Sequence, residues 1–148
     1  MNVLAAIVAG LVGTAVISMV MAMAPKMGMP KMDIVDMLST MFGKPNRMMG
    51  WAMHFMMGVI FALIYAFAWS RGVGAPTWSG GLIFGAVHWL VVGMVMGMIP
   101  MMHAGIKSGE VKAPGLWMTN NGGIIAFMGG LVGHMIFGAV VALVYAAL

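Results

Sequence analysis

The chain contains no cysteine, which excludes disulfides, thiolate metal sites and a cysteine nucleophile. Charge is almost as scarce: seven Lys and Arg with three Asp and Glu make up 7% of 148 residues, where a soluble domain carries about a quarter. So few charges cannot solvate a globule of this size, and a soluble enzyme is excluded. Disorder is excluded too, because 63% of the residues are apolar and disordered chains are poor in such residues. Four stretches lack Lys, Arg, Asp and Glu altogether: Asn2 to Ala24, Met48 to Trp69, Gly81 to Met102 and Ile124 to Leu148. Each reaches the about 20 residues that a bilayer-spanning helix needs, and a helix satisfies its own backbone in lipid. The expectation is an all-α, four-transmembrane-helix bundle forming one membrane domain over residues 1–148.

Ala22-Met23-Ala24 resembles a signal-peptide cleavage site. However, no Lys or Arg precedes the first apolar run and Pro25 would follow the cut, so the helix is expected to stay. Four spans place both termini on one face, together with the short link from Gly72 to Gly80. That face carries only Arg71, whereas the two longer loops hold Lys26, Lys31, Lys44, Arg47, Lys107 and Lys112. The positive-inside rule then puts the loops in the cytoplasm and both termini outside the cell (inner) membrane. Trp51 and Trp117 mark the loop-side interface, Trp69 and Trp78 the other. Topology accounts for the net charge of +4, and no nucleic-acid partner is expected. In the first loop, Pro30 to Phe42 reads as a short interfacial helix, with Asp33 and Asp36 near its start and Gly43 as its stop. Those two carboxylates are a candidate cation-binding pair or, in the plainer account, dipole-stabilising residues on a wet face.

Sliding the chain along itself reveals a repeat. His54, Gly58, Ala62 and Tyr65 recur 80 residues later as His134, Gly138, Ala142 and Tyr145. Gly10, Met19, Met21, Met23, Pro25 and Met27 recur 75 residues later as Gly85, Met94, Met96, Met98, Pro100 and Met102. The simplest origin is a tandem duplication of a helical hairpin, with repeats over residues 1–72 and 76–148. Both copies enter the membrane in the same sense, so a pseudo-two-fold axis is expected along the membrane normal.

Intramembrane ionisable residues are functional candidates by default. At about 100° per residue the repeated His, Gly, Ala and Tyr form one stripe on each helix. His54 and His134 are therefore expected at matching depth, with Gly58 and Gly138 leaving room beside them. That is what a bis-histidine haem b would use; the plainer account is a buried pair of neutral histidines. His88 has no counterpart, since Gly13 stands at its place in the repeat. A hydrogen bond to Tyr65 or Tyr145 is expected of it, and a quinone-head site with Trp89 is a weaker possibility. His103 is expected at the interface, satisfied by water.

Methionine is as abundant as glycine, 22 of each. Met19/Met23 and Met94/Met98 are repeated thioether pairs, and thioethers with imidazoles select Cu(I). Their spacing resembles that of copper-uptake channels, which are trimers of three-helix subunits; this chain has four spans and no matching remainder. Met21 and Met96 fall on the opposite helical side from their neighbours, so many of the methionines are expected to face lipid or packing contacts. Methionine is also a flexible apolar filler.

No serine elbow, zinc-hydrolase motif or phosphate loop is present, and no span holds a carboxylate, so catalysis is not expected. Pro25-Lys26-Met27-Gly28 through Pro30-Lys31-Met32-Asp33, Trp51-Ala52-Met53-His54, His88-Trp89 and Gly133-His134-x2-Phe137-Gly138 resemble a family of small bacterial four-helix membrane proteins. That family has no established activity, so the resemblance implies the fold alone. The expected role is a non-catalytic accessory subunit or binding protein of a larger membrane complex, with haem b at His54 and His134. The alternatives are a homo-oligomeric Cu(I) or small-solute transporter and a purely structural subunit. An absorption spectrum with metal analysis separates them. Haem gives a Soret band lost in His54→Ala or His134→Ala, and copper handling gives bound copper lost when Met94 and Met98 both become Leu.

Overall fold

A computed structural model describes residues 1–31 and 33–148. It is all-helical, with no strand among the described residues. The six α-helices among the described residues are α1 (Val3–Met23), α2 (Ile34–Ser39), α3 (Arg47–Ser70), α4 (Trp78–Met96), α5 (Ala104–Lys107) and α6 (Gly123–Ala147). Four of them, with their terminal turns, are long and apolar enough to cross a membrane.

Local chemistry sets the boundaries. Asn2, Asn46 and Thr77 cap α1, α3 and α4 by accepting from a backbone N–H three residues on, which satisfies an otherwise orphaned donor. Prolines end two spans. Pro25 turns α1 into a 3-10 turn over Ala24–Met27, and Pro100 sits in the 3-10 turn Ile99–Met101 after α4. The third span therefore leaves α-geometry at Met96 rather than Met102, because a proline has no N–H to give the carbonyl four residues back. The first-loop helix is also shorter than Pro30 to Phe42. It begins only after Asp33, whose carboxylate caps Asp36 N–H at 2.9 Å, and it ends at Ser39. Met32, within the expected helix, lies outside the described residues. Val35, Met37 and Leu38 are buried and α2 packs on α3, so this helix is part of the bundle's cap rather than a lipid-facing element.

The backbones approach in the order α3–α1–α6–α4. Glycines permit the close approaches. A Cβ on Gly10 would run into the α3 backbone at Gly58 and Val59, and one on Gly138 would run into Gly81 and Gly85 of α4. This is small-residue packing, the contact that holds helices together in lipid. The ring closes differently between α3 and α4, whose backbones hardly approach. There Phe61, Tyr65 and Trp69 meet Phe84 and His88, with ring centroids 3.7 Å apart for Phe61–His88 and 5.1 Å for Tyr65–Phe84. The packing is thus not two-fold symmetric. The α1–α6 contact, made at Gly13 against Phe137 and Val141, has no equivalent between α4 and α3, because His88 occupies the place of Gly13.

The two loops form one cap. His103 is fully buried, not water-satisfied at an interface. Its Nε2–H donates to Met37 O at 2.7 Å and its Nδ1 accepts from Ile106 N–H at 3.1 Å. Backbone bonds from Ala104 to Met41 O and from Gly105 to Thr40 O complete the seam.

The glycine contacts are tested by two variants on one helix. Gly138→Ala drives a methyl into the α4 backbone and should cost at least about 2 kcal/mol, as overpacking does. Gly133→Ala places its methyl 3.5 Å from Ile17, an ordinary contact, and should be neutral or slightly stabilising. Unfolding of both variants in detergent provides the comparison; equal stabilities would contradict the contact.

Candidate functional site

Where α3 and α4 stand apart, the aromatic side chains fill only the half nearer the termini. In the loop-side half a cavity of about 340 Å³ remains, within the about 300–1,000 Å³ of small-molecule sites. Its lining is apolar apart from Thr14 and the imidazoles of His54, His88 and His134. Met118 lies at its loop-side end and is buried. A left-handed pair delivers it there, with φ of 48° at Trp117 and 58° at Met118. Such conformations cost about 1–2 kcal/mol per residue. Anchoring offsets the cost: the Trp117 indole N–H donates to Leu90 O at 3.1 Å, and its ring lies against Gly93, where any Cβ would collide.

Hydrogen bonds assign the tautomer of each histidine. Ser18 Oγ–H donates to Thr14 O at 2.7 Å, so at 3.1 Å from His54 Nε2 the same oxygen accepts. His54 is the Nε2–H form. His134 lies with Nδ1 2.8 Å from Gly130 O, an acceptor, and is the Nδ1–H form. The expected bond from His88 to a tyrosine is made to Tyr65, with the hydroxyl 3.0 Å from Nδ1. Tyr65 is buried and this is its hydroxyl's partner, so it donates and His88 carries its proton on Nε2. Tyr145 is elsewhere, accepting from Asn2 N–H at 3.0 Å.

The structure brings His54 and His134 to one cavity but not into a bis-histidine haem site. The imidazole touching His134 is His88, edge to face with centroids 4.8 Å apart, so the ring packed on His134 is not that of His54. His54 Nε2 is engaged by Ser18. The space expected beside Gly58 is taken by Thr14 and the Gly10 carbonyl of α1, and that beside Gly138 by the backbone of α4. The expected copper pairs also face away. Met19, Met23, Met94 and Met98 are 65%, 59%, 59% and 61% exposed on the outer surface, so they form no site inside one chain. The inward pair is Met21 and Met96, which line the cavity; the helical wheel separated them correctly from their neighbours but left open which side faced in.

Asp33 and Asp36 are occupied by cations of the chain. Lys31 lies 3.1 Å from Asp33, and Arg47 lies 2.6 Å from Asp36. Partial burial pulls the Asp33 carboxyl up, but hydrogen bonds from Asp36 N–H and Lys31 outweigh it and hold it below the usual value. Partial desolvation and the Asp33 carboxylate hold Asp36 above it. No group of His, Asp and Glu suited to a metal ion occurs among the described residues.

Trp89, which the sequence raised only for a quinone site, completes the site together with Ser18 and Thr14, which the sequence left unmarked. Trp89 is buried, stacks 4.9 Å from His134 and has an indole N–H without a partner among the described residues. Ser18 and Thr14 set the orientation of His54. The tautomer pattern is directly measurable: nitrogen-15 NMR of histidine-labelled protein should show His134 as the Nδ1–H ring, with His54, His88 and His103 protonated on Nε2. An Nε2–H form of His134 would contradict its bond to Gly130.

No curated protein and no solved structure shows significant similarity to the chain. Residues 1–148 match the family of unknown function DUF6789, and the chain belongs to that family.

Proposed function

We propose that the protein is a non-catalytic membrane binding protein that holds a small lipophilic molecule within its helix bundle, as an accessory component of a larger membrane complex. The observation that carries this reading is the cavity itself. It is dry-walled and of ligand size, and it is provided with a few convergent polar atoms, the combination found in small-molecule sites. Placement of the protein in the inner membrane with its loops in the cytoplasm is supported by the six Lys and Arg on the loop side against one on the other. The absence of carboxylates from the spans supports a binding role over intramembrane acid–base chemistry. The outward methionines suit packing against lipid or a neighbouring subunit, since thioether side chains adapt to irregular surfaces.

Gly133 provides the test, because a side chain there extends toward the cavity without striking backbone. Purified in mild detergent, the wild-type protein should carry a lipophilic small molecule recoverable by organic extraction and mass spectrometry. Gly133→Leu should fold with unchanged helicity and lose at least about nine-tenths of it. Wild-type protein yielding only bilayer phospholipid would overturn the proposal.

A further inference from the structure

The three cavity histidines differ in what they offer a ligand. Each has one ring nitrogen committed to the protein, and the other has no hydrogen-bond partner among the described residues. Among the described residues the fully buried side-chain nitrogens left unpaired are those of Trp69 and Trp89, so the free histidine nitrogens keep accessible surface, and all three rings line the cavity. With the tautomers above, His54 Nδ1 and His134 Nε2 are bare acceptors, whereas His88 Nε2–H is a donor. Two acceptors and a donor, set in apolar walls, specify a chemistry.

A ketone or quinone carbonyl only accepts. It would pair with His88 and leave both bare nitrogens unsatisfied, a costly outcome away from water. An ammonium or a carboxylate would arrive without a counter-charge, because none of the four spans holds a charged side chain within the membrane stretch read from the sequence. A hydroxyl does both jobs through one oxygen. His88 and His134 touch edge to face, 4.8 Å between centroids at 89°, and both rings line the same cavity. Phe61, Trp89 and Phe137 line the cavity beside these groups and offer ring faces and edges to an aromatic carrier.

We propose that the cavity selects a neutral lipophilic molecule bearing a hydroxyl group, a phenol or hydrophobic alcohol, whose O–H donates to His134 Nε2 while its oxygen accepts from His88 Nε2–H. This rests on the cavity being a binding site, and the experiment separates the two claims. Saturable binding of para-propylphenol, its methyl ether and propylbenzene is measured on the protein in lipid nanodiscs, with Gly133→Leu nanodiscs as the background. The phenol should bind about tenfold more tightly than either analogue, the scale of a hydrogen bond made by an otherwise unpaired buried acceptor. His134→Phe should abolish that preference while retaining the fold, since its Nδ1–H bond is only to a carbonyl of its own helix. A second variant, Tyr65→Phe with His88→Phe, removes the donor together with the hydroxyl that would otherwise be stranded, and should also abolish it. Equal binding of the three probes, or a preference surviving in His134→Phe, overturns the hydroxyl assignment and leaves the cavity as a binding site. No saturable binding of any probe above the Gly133→Leu background overturns both.

Discussion

At Gly13 the α6 side chains of Phe137 and Val141 come so close that even a methyl on α1 would require them to shift. At the matching place on α4 stands His88, stacked 3.7 Å from Phe61. The imidazole and its aromatic partners act as a wedge. They hold α3 away from α4 while the other three helix pairs close on glycine, and helices separated by large side chains cannot also pack at backbone distance. The cavity, the asymmetry of the ring and the convergence of three histidines all follow from that spacing. His88 is also the group whose hydrogen bond to Tyr65 orients a donor toward the cavity. One residue thus creates the space and equips it.

The four helices were legible because charge is absent from their apolar stretches and because Asn2, Asn46, Thr77, Pro25 and Pro100 mark their ends in ways that follow from backbone chemistry alone. Periodicity also placed His54 and His134 on one kind of stripe. It failed on which neighbour each stripe meets. Gly58 and Gly138 read equally well as room for a ligand or as a helix crossing, since a missing side chain does not say what fills the gap. The methionine faces were ambiguous for a related reason. In an apolar helix the lipid side and the protein side are both hydrophobic, so the contrast that reveals an inner face in a soluble helix is lost. His103 was misplaced because its partner, the Met37 carbonyl, is a backbone atom with no sequence signature.

Strain and anchoring are concentrated on one side of the cavity. The left-handed Trp117–Met118 pair is tied down by a bond to a carbonyl of α4 and by a glycine on the same helix. The paired charges of Lys31, Asp33, Asp36 and Arg47 lie by the first-loop helix. Fixed contacts thus gather at the loop-side end of the cavity, whereas across the α3–α4 gap side chains alone make the contact.

The seam through His103 bears on how the protein is made. The carbonyl that His103 grips lies 66 residues earlier in the chain, in a loop that leaves the ribosome well before α4. Until α4 has been inserted and the second loop has returned to the same side, the first loop lacks the imidazole and backbone donors that complete it. The amino-terminal hairpin can enter the membrane early, but its cap sets only when the second hairpin arrives. The cap is therefore a joint product of both halves, and a chain truncated between them would lack the partners that complete the first loop.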